Sequence, residues 1–370
     1  MRCSLFLCLL LPLLTAGQQI PLEYRTAYYY RNADTFHLNN TQIKNDKVTL
    51  AFFAKQGLLF IDSMLLQTTI QHGFDSILNV TKFINAGSFF MYKTEVSNAE
   101  YKQFQQSKKS GVYYPDTAVW QDGEEEKDPF VLYYYQNKAY NSYPVVGITH
   151  WQAVQYCIWK TQELNALLKK NGIAKYSVEV RLPSDADYNA AYKKHITGWL
   201  KSKENTCGFS MENDYLSYAF GCGKFRCNFH TITTTRGAAI KPTLDKNWQA
   251  YGFIVTPTLS YQNALGMYNL LGNVEEWTST SAGGALFNNL EYIYTTTNKI
   301  IPNTQTKIDS VSLNKHIYKK TDLAKHYFVK GGSWMDEIYY LQPAALKLKA
   351  EWHRSKTIGF RYVVYVKAKD

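Results

Sequence analysis

The chain has 370 residues, enough for one or two domains with a substantial core, and it is basic, with 41 Lys and Arg against 30 Asp and Glu. The lysines are spread along the chain and form no stripe interleaved with aromatic residues, so the composition excludes the usual nucleic-acid-binding modules and favours a solvated basic surface. Beyond the N-terminus no stretch is long and apolar enough to predict a transmembrane helix.

The first 17 residues are expected to be a secretory signal peptide. Arg2 precedes an apolar run from Leu5 to Leu14, and small residues follow up to Gly17. This is the layout of a charged region, an apolar region and a cleavage site, and the run is too short to span a bilayer. We expect export and cleavage after Gly17. Cys8 has no small residue just before it, so we expect no lipid attachment.

Residues 18–85 are predicted to be an N-terminal extension, followed by a main domain over residues 86–370. The extension begins with the polar and aromatic stretch "YRTAYYYRNADTFHLNN" and continues as an apolar run that ends near Ile70. No residue pattern for chemistry is visible in it. Two interpretations remain open, an interaction arm and a packed part of the main domain.

Three helices are predicted in the main domain from their N-cap residues. Ser97, Thr149 and Ser184 each precede a run with apolar residues at helical spacing, and the second run closes at Gly172. The stretches "FVKGGSW" and "GFRYVVYV" are typical of strands. Short helices and strands alternate with many loops, which indicates a mixed α+β domain.

Four cysteines remain after the signal peptide, and an even number in an exported protein indicates disulfides. We predict that Cys207 pairs with Cys222 or Cys227, and the sequence leaves that choice open. Cys157 lies in the apolar helical run "AVQYCIW" and is predicted to be a buried free thiol or the partner of a distant cysteine. The spacing is not that of a zinc site.

The usual zinc, nucleotide and hydrolase fingerprints are missing from the sequence. Glu275 and Glu276 are adjacent, and neighbours on a strand point to opposite faces, so they do not form the facing carboxylates of an acid and base pair.

Six ordered fragments stand out above this background. They are "NAGSFFMYKTEVSNAEYKQF", "YPVVGITHWQAVQYCIWKT", "VRLPSDADYNAAY", "ALGMYNLLGNVEEWTST", "VKGGSW" and "IGFRYVV". Together they resemble the formylglycine-generating-enzyme-like (sulfatase-modifying-factor) family, whose motifs include R-L-P-T-E-A-E-W-E, G-N-V-x-E-W, R-G-G-S-W and G-F-R. The resemblance runs from about Ala86 to Tyr365. It implies the family's α+β fold, with a C-type-lectin-like core and much irregular backbone.

The same motifs predict which side chains build the scaffold. Four tryptophans are expected in the core: Trp151, Trp159, Trp277 and Trp334. Arg181, Glu276 and Arg361 are charges in apolar surroundings, so they must be paired or hydrogen-bonded if they are buried.

The resemblance also locates the catalytic positions of the family. Its formylglycine-generating members carry two copper-binding cysteines in and just after the G-G-S-W turn, and these positions fall at Asp336 and Leu341 here. A thiolate is the ligand and redox centre of that chemistry, and neither Asp nor Leu can replace it. We therefore expect no copper and no formylglycine production.

Calcium is the cofactor that the resemblance favours. The family binds calcium through an asparagine side chain and backbone carbonyls, and "YNLLGNVEEW" places Asn269, Leu270, Gly272 and Val274 at those positions. Glu275 stands where the family usually has an aromatic residue.

A longer block, Tyr113 to Asn165, resembles the gliding-motility and type IX secretion proteins of Bacteroidetes, which lack the catalytic cysteines. The resemblance implies a non-catalytic structural subunit of a periplasmic, outer-membrane-associated assembly, in an oligomeric ring with other envelope proteins. Attachment would then rest on protein partners rather than on a lipid. Two alternatives are a lectin-like binding module for a cell-envelope polymer and a family enzyme with different oxidative chemistry.

Overall fold

The structure is a computed structural model in which the following residues are described. They are 40–62, 64–68, 82–86, 88–121, 129–200, 227–229, 232–233, 239–240, 255–259, 266–281, 292–294, 300–302, 310–313, 316–319, 325–336, 338–341, 345 and 347–369. The predicted signal peptide and the cysteines Cys207 and Cys222 lie outside these ranges.

The described residues include six α-helices. They are α1 (Asn40–Asn45), α2 (Lys47–Lys55), α3 (Asn98–Lys108), α4 (Pro129–Tyr133), α5 (His150–Lys170) and α6 (Asp185–Leu200). Short 3₁₀ turns cover Gly111–Tyr113, Thr117–Trp120, Lys138–Tyr140 and Ile338–Leu341.

The three predicted helices are α3, α5 and α6, and each begins directly after its predicted cap. Ser97 accepts a hydrogen bond at its hydroxyl from the backbone N–H of Glu100, whose carboxylate accepts from the Ser97 N–H. Thr149 forms the same reciprocal pair with Gln152, and the Ser184 hydroxyl accepts from the Asp187 N–H at 3.1 Å. Because these bonds join residues three apart, local sequence is sufficient to place the helix starts.

The strands are short. They are β1 (Leu58–Ile61), β2 (Met64–Thr68), β3 (Lys82–Ala86), β4 (Phe89–Tyr92), β5 (Tyr176–Arg181), β6 (Ile232–Thr233), β7 (Ala239–Ile240), β8 (Glu275–Ser281), β9 (Tyr292–Tyr294), β10 (Ile300–Pro302), β11 (Ser310–Leu313), β12 (His316–Lys319), β13 (His326–Lys330), β14 (Lys347–Ala350), β15 (Ile358–Gly359) and β16 (Val363–Ala368).

Two sheets of four strands organise the part of the chain that is described. The first has the order β1-β4-β16-β5 and is antiparallel throughout. The second has the order β14-β13-β8-β15, in which only β15 runs parallel to its neighbour. The remaining strands pair as two-stranded ribbons. Helices and mainly antiparallel sheets are mixed along the chain, which confirms the predicted α+β class.

The first sheet includes a strand from the segment that was predicted as an extension. Strand β1 pairs with β4 in the register Leu58 to Tyr92 through Ile61 to Phe89. Phe53, on the preceding helix, is fully buried in the main core. Residues 40–61 therefore pack on the main domain, although they come before residue 86, where the sequence predicts that this domain begins.

Helix α5 covers the free edge of strand β5. The Thr161 hydroxyl accepts from the Val180 N–H at 2.9 Å. The Asn165 carboxamide accepts from the Val178 N–H at 2.9 Å and donates to the Val178 carbonyl at 2.8 Å. These side chains take the place of a neighbouring strand, so the edge does not offer a free ladder for pairing.

The core contains most of the predicted large side chains. Trp159, Trp277 and Trp334 are buried, but the prediction for Trp151 is wrong, because its side chain is 44 % exposed. Trp151 lies on the outer face of α5 and stacks on the Tyr113 ring at a centroid distance of 5.5 Å. No helix within the described ranges is long and apolar enough to cross a membrane.

Candidate functional site

The turn that follows β13 is shaped by two glycines. Gly331 and Gly332 have φ of +92° and +70°, in the left-handed region where a side chain is strained. A Cβ on Gly331 would lie 2.5 Å from the Tyr188 hydroxyl oxygen, and one on Gly332 would lie 3.1 Å from the Tyr340 backbone. The turn therefore closes tightly onto the 3₁₀ turn at Ile338–Leu341.

Asp336 and Leu341, which the sequence resemblance predicts at the positions of the family's catalytic cysteines, both make structural contacts. The Asp336 carboxylate accepts from the Ser333 N–H at 2.8 Å and from the Ser333 hydroxyl at 2.7 Å. Its other oxygen pairs with the Lys347 ammonium. Leu341 is fully buried in a hydrophobic cluster with Met267 and Leu271. One position thus carries an engaged carboxylate and the other an apolar core side chain.

Lys347 joins Asp336 to Glu275, and we name these three residues the charge cluster. The Lys347 ammonium lies 3.0 Å from the Glu275 carboxylate, which also accepts from the Thr357 hydroxyl at 3.2 Å. Burial raises the pKa of Glu275, against the opposing charge of Lys347. Burial acts to lower the pKa of Lys347, but Glu275 and Asp336 outweigh it and raise that pKa. The cluster holds one cation between two carboxylates beside the turn.

Glu276 points to the other face of β8, as its position next to Glu275 predicts. The Arg361 Nε donates to both Glu276 oxygens, at 2.8 Å and 2.7 Å, and both side chains are buried. Arg361 also donates from Nη2 to the carbonyl of Asn269 at 2.9 Å. Glu276 and Arg361 are thus paired and hydrogen-bonded, as expected of each if it is buried. Arg181 lies 3.9 Å from Asp187.

A buried carboxylate, Glu95, holds the loop at residues 266–274. Its two oxygens accept from the carboxamides of Asn269 and Asn273, each at 2.9 Å. Burial, followed by the charge of Glu276, raises the pKa of Glu95 to about 8, although both amide bonds favour the ionised form. Sequence reasoning missed Glu95, whose only signal is an acid within the first family fragment, "YKTEVSNAEY".

The predicted calcium positions lie in this loop, where protein groups already contact several of them. The carbonyl of Asn269 accepts from Arg361, that of Leu270 accepts from the Tyr188 hydroxyl, and Gly272 donates to the Gly331 carbonyl at 2.8 Å. Val274 is fully buried. These contacts fit a loop held by protein donors better than a ring of oxygens open to a cation, and calcium stays a prediction. In the described ranges, no three His, Cys, Asp or Glu side chains are grouped to hold a metal.

The cysteine predictions divide between described and undescribed residues. Cys157 is a buried free thiol, which is one of the two predicted alternatives. Cys227 is buried. Its predicted partner, Cys207, lies outside the described residues, as does the alternative, Cys222, so the disulfide stays a prediction.

Comparison with known families decides the assignment. The profile of the sulfatase-modifying factor enzyme 1-like domain matches residues 69–366. The chain belongs to this family. The match covers both four-stranded sheets except β1 and the last two residues of β16, together with the turn at Gly331 and the loop at Asn269. The predicted family membership is thereby confirmed.

Several solved structures are similar to this domain. CarF has 16 % sequence identity and a TM-score of 0.43, with 85 % of this chain and 98 % of that chain covered. Treponema denticola variable protein 1 has 14 % identity and a TM-score of 0.40, with 83 % and 94 % covered. PvdO from Pseudomonas aeruginosa has 15 % identity and a TM-score of 0.43, with 83 % and 93 % covered. A comparison with curated proteins gave no significant match.

Proposed function

We propose that this sulfatase-modifying-factor-like protein is a non-catalytic structural subunit of a periplasmic, outer-membrane-associated assembly of the type IX secretion or gliding-motility kind. The proposal rests on the residues found at the two positions where the family's catalytic cysteines are expected. Asp336 is engaged by Ser333 and Lys347, and Leu341 is part of the core. Neither side chain is a thiolate, which copper-dependent cysteine oxidation requires.

The block that resembles the motility proteins also supports a role in partner binding. Of the ten large apolar side chains that are exposed among the described residues, five lie between Tyr113 and Asn165. They are Tyr114, Leu132, Tyr133, Trp151 and Ile158. Trp151 and Ile158 are seven residues apart on α5, and therefore share one face of the helix. Grouped exposed apolar side chains of this kind are typical of protein contacts.

The partners in this proposal are other envelope proteins, with which the chain forms an oligomeric ring. The proposed association with the outer membrane is peripheral and is made through those partners. No nucleic acid takes part.

Mild cross-linking of the native cell envelope tests the proposal. The protein is then purified and its partners are identified by mass spectrometry. We expect a stoichiometric, high-mass complex with other envelope proteins. A monomer recovered alone would contradict the proposal, and recovery with glycan only would favour the lectin-like alternative.

Matched variants relate the complex to the proposed surface. The pair Trp151→Ser and Ile158→Ser removes apolar area from the outer face of α5 and should reduce the recovered complex. Val48→Ser is the control, because Val48 is 71 % exposed on α2, outside the block. An equal yield of complex from both variants would contradict this surface as the contact.

Metal analysis of the purified protein separates the structural role from the oxidative alternative. We expect no stoichiometric copper or iron, because the two catalytic cysteines are replaced. Stoichiometric copper or iron would contradict the structural role and favour an enzyme. The same analysis measures calcium. Stoichiometric calcium would support the site predicted at Asn269, Leu270, Gly272 and Val274, and a calcium-free protein would agree with the protein donors that already contact this loop.

The lectin-like alternative has one feature in its favour. A shallow pocket of about 570 Å³ is lined by Lys102, Gln105, Gln106, Lys109 and Tyr114. Amide, ammonium and aromatic groups together suit a hydroxyl-rich or anionic polymer chain. Sedimentation of the purified protein with isolated envelope polymer tests this alternative.

A further inference from the structure

Lys330, Asp185 and Asn189 form a polar cluster inside the domain, between β13 and α6. Asp185 and Asn189 are four residues apart on α6, so their side chains share one face of the helix. The Lys330 Nζ donates to the Asn189 Oδ1 at 3.2 Å and pairs with the Asp185 Oδ1. The Asn189 Nδ2 lies 3.5 Å from that same Asp185 oxygen. One carboxylate oxygen therefore contacts both the amine and the carboxamide.

The cluster is almost fully shielded from water. The Lys330 and Asp185 side chains are 0 % and 1 % exposed, and Asn189 is also buried. The second carboxylate oxygen of Asp185 is buried and has no hydrogen-bond partner in the described structure. Burying an ion pair costs desolvation, which is repaid only when every polar atom is satisfied. Stability alone is therefore a weak explanation for this cluster.

The sequence departs from the family motifs at all three of these positions, although Asp185 keeps the carboxylate of the motif's Glu. The motif R-G-G-S-W has Arg where this chain has Lys330, and R-L-P-T-E-A-E-W-E ends in Glu where this chain has Asn189. A guanidinium and a carboxylate form a stable ion pair. A primary amine beside a carboxamide can instead react with it, since the amine is a nucleophile once it has lost its proton.

We propose that Lys330 and Asn189 form an intramolecular isopeptide bond, with Asp185 as the acid and base of the reaction. Asp185 takes a proton from the Lys330 ammonium, and the neutral Nζ attacks the Asn189 Cγ. Asp185 then takes a second proton from Nζ, and the bond from Cγ to Nδ2 breaks as both protons reach the leaving nitrogen. One amide bond forms, the nitrogen leaves as an ammonium ion that carries the charge Lys330 began with, and Asp185 ends as the carboxylate it began as.

The geometry supplies what this reaction needs. The fold holds amine and carboxamide together, which removes the entropy cost of bringing them into contact. The contact of one Asp185 oxygen with both nitrogens gives the proton a path from the attacking to the leaving group. Burial keeps out the water that would compete for the carboxamide.

The bond would connect α6 to β13, which are separated by 141 residues at this point in the chain. A covalent link of that span restricts the unfolded chain, as a disulfide does. It requires no oxidant and cannot be undone by a reductant.

Peptide mapping of the full-length protein, purified in the folded state and then denatured and digested with trypsin, tests the bond. An unmodified chain gives separate peptides for residues 182–193 and 326–330. The bond blocks cleavage at Lys330 and joins 182–193 to 326–347, with a mass lower than the sum of the two by one ammonia molecule. Fragmentation of this branched peptide should place the link on Asn189 and Lys330.

The intact mass alone does not decide the matter. Gln18, the expected first residue after the signal peptide, also loses ammonia when it cyclises, so the branched peptide is the decisive signal. Separate, unmodified peptides from the folded protein would overturn the proposal. A branched peptide that has lost water instead would link Lys330 to Asp185, and would also overturn it.

Two matched lysine variants complete the experiment. Lys330→Arg keeps the positive charge but has no reactive amine, so the branched peptide should disappear. Lys347→Arg changes a half-buried lysine that also pairs with an aspartate, and its ion pairs and hydrogen bonds among the described residues include no carboxamide, so the branched peptide should remain in full yield. Asp185→Asn should reduce the linked fraction at least tenfold, because the proton path is lost.

Discussion

Glu95 is buried, and its two oxygens accept hydrogen bonds from the carboxamides of Asn269 and Asn273. The left-handed backbone of both asparagines, with φ of +45° and +63°, shows how far the loop depends on these side-chain bonds. The carboxylate therefore acts as a clamp for the loop that precedes β8. Its raised pKa is the consequence of placing that clamp in the core beside Glu276.

Glu95→Gln should change how stability depends on pH. The folded-state pKa of Glu95, about 8, lies above its ordinary value of 4.5. The folded protein therefore keeps a proton that the unfolded chain has lost, and stability falls as pH rises through this window, by up to about 1.4 kcal/mol per pH unit. Urea unfolding between pH 5 and pH 8 should show a smaller fall for the variant. Parallel profiles would contradict the raised pKa.

At the scale of single elements, the edge of strand β5 is the clearest example of a helix completing a sheet. Asn165 on α5 meets both backbone groups of Val178, and Thr161 meets those of Val180. Val178 and Val180 are two residues apart, so their backbone groups point to the same edge of β5. Thr161 and Asn165 are four residues apart, so their side chains lie on the same face of α5. These hydrogen bonds explain why α5 has polar residues on the face that packs against the sheet.

Asn165→Ala should destabilise the domain by about 1–3 kcal/mol, because the N–H and carbonyl of Val178 lose their partner in a partly buried position. Glu163→Ala on the exposed face of the same helix is the control and should change stability by less than about 0.5 kcal/mol. Chemical denaturation of both variants measures the difference. Equal effects would mean that water replaces the carboxamide at this edge.

At the scale of the whole molecule, residues 40–61 complete one of the two large sheets. Strand β1 pairs along β4, while Phe53 and Leu58 enter the main hydrophobic core. Removal of this segment would open the edge of β4 and expose large apolar side chains. Residues 40–61 therefore contribute to the stability of the folded domain.

Truncation tests this contribution. A chain that starts at residue 62 should unfold at a temperature at least 10 °C lower, or should fail to fold, because it loses buried side chains such as Phe53 and Leu58, worth about 2–5 kcal/mol each. A chain that starts at residue 40 keeps every contact given above and serves as the control. Calorimetry compares the two, and equal unfolding temperatures would contradict a structural role for residues 40–61.

The sequence by itself determined the features that depend on near neighbours or on ordered motifs. The caps at Ser97, Thr149 and Ser184 bond to residues three positions further on, so the local sequence was enough to predict where the helices start. The motif order gave the family and the α+β class. The tight turn at Gly331 followed from the glycine pair, since few other residues tolerate that backbone.

Only the tertiary structure decided which side chains meet across long stretches of chain. Glu95 lies 174 and 178 residues from the asparagines that it binds, and Lys330 lies 145 residues from Asp185. No local pattern records such pairs, because a short stretch of sequence contains only one of the two partners. The exposure of Trp151 was missed for the same reason, since the outer face of α5 is set by what α5 packs against and not by its own periodicity.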